Sequence, residues 1–354
     1  MTQINIPSPS KGQRNSSIEL YRIIATFAVL IVHFNGWFVG GMPENFDISN
    51  PSAFRTGQMI IEAATCICVN MFVLISGYFG IRFRLYSFVS LCLKLLLIFI
   101  PLYIAYAIYA NNFSWGGFNY QFRVISRAGW FIQCYVMLMF LSPLLNSFVK
   151  EYDRKILPWC IVLLFIEFWF GCVMSVQLGR DNSFAIESGY SVIHFVLIYM
   201  LGRCIYLYQD ELTSLRRNIW VIVWIICTLI ICVMHILGIK FVWDYASPIV
   251  IASSVASFMP FLYRAYTNEK INWIAKSTLA VYIIHSDTPV IKLLRKIDNQ
   301  LLEDCTYSHY LLEISVVIVL VFFACIVYDK LCGIVINPVL KRLSPILYGK
   351  FEFK

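Results

Sequence analysis

Residues 18–39 read IELYRIIATFAVLIVHFNGWFV. A run of this length, mostly apolar, suits a helix crossing the hydrocarbon core of a bilayer, which takes roughly 20 residues. Glu19, Arg22 and His33 nevertheless stand inside it. The step from Arg22 to His33 turns a helix by ~1100°, three turns plus ~20°, and rises ~16 Å. The two side chains therefore share one helix face. Glu19 precedes Arg22 by one turn, close enough to pair with it. Residues 1–17 are polar, with Pro7, Pro9, Lys11 and Arg14, and have the basic character of a signal peptide's first part. The apolar run that follows is too long and carries Arg22 and His33, so it reads as an uncleaved first spanning helix.

The rest of the chain has the same character. Of 354 residues, 60% are hydrophobic and 14% charged, against ~45–50% and ~25% in soluble domains. Mean hydropathy is +0.73. One soluble core of this size cannot hide so much apolar surface, which excludes a soluble enzyme, a coiled coil and a disordered chain. Nine further apolar runs follow, at 58–79, 86–109, 128–149, 158–176, 190–208, 217–238, 244–263, 273–291 and 309–332. The expected fold is all-α: a polytopic membrane bundle of about ten spanning helices. Residues 1–17 form a polar cytoplasmic segment, 18–332 one transmembrane domain and 333–354 a cytoplasmic tail.

The net charge of +8 belongs to the same picture. With both termini inside, the inner segments hold 18 of the 28 Lys and Arg, and the outer loops hold 8. That bias follows the positive-inside rule and leaves no soluble basic face for nucleic acid. Most of the 12 cysteines sit in apolar runs, among them Cys92, Cys160, Cys172, Cys227, Cys232 and Cys325, and there is no CxxC. Cys in that setting is a small hydrophobe, and no His pair has metal-ligand spacing. No bound metal is expected.

Charges inside apolar runs mark function in membrane proteins. Arg22 admits two readings: an interface arginine paired to Glu19, or the base of a functional seam. His33 lies past the midplane; a lone membrane His also serves as an interhelical hydrogen bonder, but the shared face with Arg22 favours the seam. The second run ends Ser76-Gly77-Tyr78-Phe79-Gly80-Ile81-Arg82-Phe83-Arg84. Its two arginines are either a membrane-stop signal or a grip for a phosphorylated cytosolic ligand. The fourth run opens Arg127-Ala128-Gly129-Trp130-Phe131-Ile132-Gln133. Its aromatics suit an interfacial belt, but Gln133 does not. The ninth carries Val281-Tyr282-Ile283-Ile284-His285 with Asp287 just after, and places His285 at a depth similar to His33. Glu62 and Glu167 are further acids in apolar runs. His194, His235 and His309 fall near outer ends and read as ordinary.

These elements, taken in order, resemble the acyltransferase 3 family of bacterial membrane acyltransferases. The likeness rests on Ile18 to Ala25 running to Val32-His33, on Phe72 to Tyr78, on Trp130-Phe131 to Pro143, and on Val281 to His285. Within it the chain resembles surface-polysaccharide O-acetyltransferases of the short type, without an appended soluble domain. Longer O-antigen acetylases carry an acidic run after the tryptophan, where this chain has Phe131-Ile132-Gln133, so no acid is carried over there.

The resemblance implies transfer of an acyl group, usually acetyl from acetyl-CoA, to a hydroxyl of a lipid-linked or exported glycan at the bacterial inner membrane. Acetyl-CoA is a co-substrate, and no bound cofactor is implied. His33 and Arg22 become the catalytic pair, with His33 a general base or an acyl carrier. His285 and Glu19 are second catalytic or orienting residues. Arg82, Arg84, Ser76, Gly77 and Tyr78 would bind acyl-CoA, and Trp130 and Gln133 would stand on the acceptor side. The competing class is a transporter or flippase for a polysaccharide precursor. It predicts helices broken at matching places in two halves, and the sequence has no such pair.

Overall fold

The computed structural model describes residues 14–38, 41–42, 46, 49, 52–180, 188–304 and 307–347. Of the described residues 83% are helical, and none lies in a strand. In chain order the first helices are α1 (Ser16–Trp37), α2 (Ala53–Thr65), α3 (Cys68–Phe79), α4 (Leu85–Tyr109), α5 (Trp115–Tyr120), α6 (Val124–Arg127) and α7 (Trp130–Tyr152). Then come α8 (Ile156–Glu167), α9 (Val192–Leu207), α10 (Gln209–Ser214), α11 (Arg217–Ile236) and α12 (Pro248–Phe258). The last are α13 (Glu269–Ala275), α14 (Thr278–His285), α15 (Thr288–Asp304) and α16 (Tyr307–Leu347).

Among the described residues seven stretches are long and apolar enough to cross a membrane. One, Trp130–Gln177, has 48 residues. At ~1.5 Å per residue that exceeds twice the ~30 Å hydrocarbon core. It breaks at Asp153, where φ is +48°, and at the charged turn Asp153–Lys155, so two of the expected runs fall within it. Val192–Leu207 is a shorter apolar helix. The run at 273–291 is corrected: α13, α14 and the start of α15 divide it. The eight residues of α14 rise only ~12 Å. Polar Lys276-Ser277 and Ser286-Asp287 interrupt the apolar composition on which the expectation rested. Pro289, the second residue of α15, has no N–H to bond back to His285 O, so α14 does not run on into α15. At the other end, α16 continues to Leu347, well past 333.

The chain forms two compact units, one of Met1–Gly80 with Leu144–Lys276 and one of Ile81–Pro143 with Ser277–Lys354. In the first, α1 packs against α2, α3 and α13. Its base is capped and tied down. Asn15 accepts from the Ser17 N–H at 3.0 Å, the Ser17 hydroxyl donates to Phe261 O at 2.8 Å, and Tyr21 packs on Phe258 and Phe261. Helices α3 and α9 cross at glycine. A Cβ on Gly77 would lie 2.2 Å from Tyr199 O, and one on Gly202 would lie 2.6 Å from Leu74 O. Small residues are what let membrane helices approach so closely. By contrast α8 and α11 present Trp159, Phe165, Ile222 and Leu229 outward, as a lipid-facing surface requires.

In the second unit α4 and α14 both pack on α16. Lys94 of α4 pairs with Asp329 of α16 at 2.7 Å, which settles a cation inside an apolar helix by giving it an anion. Tyr328 donates to Leu97 O at 3.3 Å. Tyr310 donates to Asp298 at 3.0 Å and so ties α16 to α15.

Candidate active site

The Glu19–Arg22 contact expected from the spacing is present at the base of α1. The Glu19 side chain is 7% exposed, and Arg22 Nη1 meets its Oε2 at 2.7 Å. Arg14 Nη1 approaches its Oε1 at 3.4 Å from the other side. One buried carboxylate thus sits between two guanidinium groups, and the first turn of a helix favours an acid. Arg22 keeps partial exposure, 25% of its side chain. Further up the helix, His33 is half-buried. Its ring stacks on Trp37 at 3.8 Å between centroids and 19° between planes, an i,i+4 contact that fixes the imidazole plane.

Ser76, Gly77 and Tyr78 lie at the end of α3, inside the packing of the first unit. The Ser76 hydroxyl donates back to Phe72 O at 2.9 Å. Gly77 is the crossing point already described. Tyr78 donates to Gln209 Oε1 at 2.5 Å, and its ring meets Tyr206 and Phe258 edge-on. The helix end is capped by Arg203, whose Nη1 donates to Tyr78 O at 3.0 Å and to Gly77 O at 3.4 Å. Gly80 follows at φ +72°, in the left-handed region. Arg82 and Arg84 are both exposed.

In the second unit His285 is 1% exposed and its Nδ1 lies 2.6 Å from Val281 O. A carbonyl only accepts, so Nδ1 carries the proton, and in the neutral ring the basic lone pair is on Nε2. Trp130 is half-buried and Gln133 exposed. Gln133 Nε2 donates to Ser126 O at 3.1 Å, while Phe131 packs on Tyr282 at 5.1 Å.

Sequence reasoning missed a third group, in the first unit. His194 and Glu167 are 0% and 1% exposed. His194 Nδ1 meets Glu167 Oε2 at 3.0 Å, and Nε2 meets Asn70 Oδ1 at 2.8 Å. Asn70 Nδ2 donates to Tyr245 O at 3.0 Å, which orients the amide so that Oδ1 accepts from His194. Residue 194 does fall at the start of a helix, as expected, but inside the packing. Arg203 was equally unmarked. Its partners lie 125 and 126 residues away, and no local spacing reveals them. Asn35 donates to Glu62 at 2.5 Å, giving that acid a partner. Among the described residues no group of three or more His, Cys, Asp or Glu side chains is placed to hold a metal ion.

No curated protein and no solved structure matches this chain. The acyltransferase 3 family model, described as an acyltransferase domain, matches residues 15–330, from the Asn15 cap of α1 into α16. The match takes in α1 with its charged base and most of both compact units, and the chain is a multi-pass membrane protein that belongs to the acyltransferase 3 family.

Proposed function

We propose that this acyltransferase moves an acetyl group from acetyl-CoA to a hydroxyl of a lipid-linked or exported glycan at the bacterial inner membrane. The observation that carries the reading is the build of α1. An arginine held by a buried carboxylate stands at its base, and a histidine of fixed ring plane lies on the same face ~16 Å further up. The Lys/Arg bias puts the base on the cytosolic side. A polyanionic CoA ester comes from that side, and exposed Arg82 and Arg84 have the chemistry to hold its phosphates. Arg22 stands where the donor enters. His33 stands where the acyl end arrives.

In this reading the imidazole of His33 takes the acceptor's proton as the hydroxyl oxygen bonds to the thioester carbonyl carbon. The C–S bond breaks, and the thiolate of CoA recovers the proton. The alternative, acetyl carried on the imidazole itself, uses the same atoms in two displacements. Ser76, Gly77 and Tyr78 then support the donor region by fixing the end of α3. Trp130, Gln133 and His285 belong to the acceptor side, and Glu19 orients Arg22. The test compares O-acetyl content of the surface glycan with and without the gene. Loss of O-acetyl on deletion, restored by the gene, supports the reading. Unchanged O-acetyl with altered glycan export favours the transporter.

A further inference from the structure

The second unit contains a buried ion pair to which the reading above gives no role. Arg127, the last residue of α6, and Asp287, between α14 and α15, meet through Nη2 and Oδ1 at 2.6 Å. Their side chains are 9% and 5% exposed. The guanidinium carbon lies over the Phe99 ring, 4.0 Å from its centroid, which fixes the plane of the fork. The Asp287 N–H donates to Ile284 O, so the backbone carrying the carboxylate is also held.

An arginine and a carboxylate can satisfy each other with two parallel hydrogen bonds. This pair makes one. Among the described residues Arg127 Nη1 and Asp287 Oδ2 have no hydrogen-bond partner, and both atoms are buried. Charged groups left in that state are costly. What remains is one donor and one acceptor, contributed by two side chains already in contact. A group that meets both must accept from Nη1 and donate to Oδ2. Phosphates and carboxylates offer only lone pairs, and an ammonium offers only N–H. A hydroxyl offers both. Two residues before Asp287 is His285, with its basic lone pair on Nε2.

We propose that Arg127 and Asp287 form a hydroxyl-binding pair that holds the acceptor sugar beside the turn carrying His285. This rests on the acyl-transfer reading and adds to it a site for the acceptor. Arg127 lies in a loop that the Lys/Arg bias assigns to the outer side. A water molecule presents the same two groups as a hydroxyl, and the experiment separates the two.

The protein is purified into lipid nanodiscs and given radiolabelled acetyl-CoA with a panel of methyl glycosides of glucose, galactose, rhamnose and N-acetylglucosamine. Arg127→Lys keeps the charge and loses the fork. Asp287→Asn keeps the shape and loses the charge. Each should raise the acceptor KM by about tenfold or more while the donor KM stays within about twofold, the pattern for lost charge-assisted bonds to one substrate. The charge-swapped double variant, Arg127→Asp with Asp287→Arg, restores an ion pair with the fork on the wrong side. It should recover thermal stability without recovering the acceptor KM. Unchanged acceptor KM in both single variants, or full recovery by the swap, makes the pair a structural ion pair with a water and overturns the proposal. A wild-type protein that acylates none of the glycosides overturns the acyl-transfer reading, and this inference with it.

Discussion

Gly77→Ala adds one methyl group at the place where α3 crosses α9. That Cβ would lie 2.2 Å from Tyr199 O, 2.9 Å from Tyr199 C and 3.0 Å from Gly202 Cα. All three are backbone atoms, so no rotamer change relieves the contact. Carbon–oxygen contacts in proteins settle at ~3.3 Å or more, so the helices must separate by about 1 Å at the crossing. A gap of that size forfeits a quarter to a half of the dispersion well for each atom pair along the seam. Overpacking of this kind costs about 1–3 kcal/mol. The Arg203 cap on Tyr78 O lies one residue away and shifts with it. The assay is the unfolding midpoint of the detergent-purified protein, followed by size-exclusion chromatography after heating. Gly77→Ala should lower it by several degrees, and Gly202→Ala should do the same, because its Cβ would meet Leu74 O at 2.6 Å. If Gly77 acts only on the acyl-CoA donor, the midpoint stays at the wild-type value while the donor KM rises. That result would refute the packing argument.

Three other outcomes follow from named contacts. His194→Ala leaves buried Glu167 and Asn70 facing a void and should cost about 3–5 kcal/mol, whereas Glu167→Gln keeps a hydrogen-bonding group facing His194 Nδ1 and should cost far less; thermal unfolding ranks the two. Replacing Arg82 and Arg84 together by Gln should raise the donor KM by at least about 10- to 150-fold if they hold phosphates, from ~1.5–3 kcal/mol for one lost charged contact, with membrane insertion kept; unchanged donor affinity would leave them as topology signals. Helix α11 should separate Ser214, on the cytoplasmic side, from Lys240, on the outer side. Single cysteines there, in a background without reactive native thiols, should label from opposite faces with an impermeant maleimide, and labelling of both from one face would sink the orientation.

Much of the fold was legible because lipid imposes a simple rule. A spanning helix must be long and apolar, so α1, α4, α11 and most of α16 are readable from composition alone. The error at 273–291 has the same source. Apolar content does not reveal that the Lys276-Ser277 and Ser286-Asp287 turns break the helix. That Arg22 and His33 share a face was legible because both lie on one helix, where spacing fixes the face. The Glu19 clasp was half legible: the Arg22 contact is local, while the approach of Arg14 depends on how the chain enters the helix. Groups assembled across helices were not legible. Asn70 and His194 are 124 residues apart, and Arg127 and Asp287 are 160 apart. Nothing in either local sequence tells a buried partner from an interfacial charge.

The central claim is that His33 performs the chemistry at the end of a donor path based on Arg22. The measurement that tests it most directly is acetyl transfer by His33→Ala beside its acetyl-CoA binding, in purified protein at equal folded amount. A general base acts mainly in the transition state, so turnover should fall by ~10²–10⁴-fold while donor affinity stays within about twofold of wild type. Near-normal turnover in His33→Ala would contradict the account and return weight to a transport function for the same buried charges.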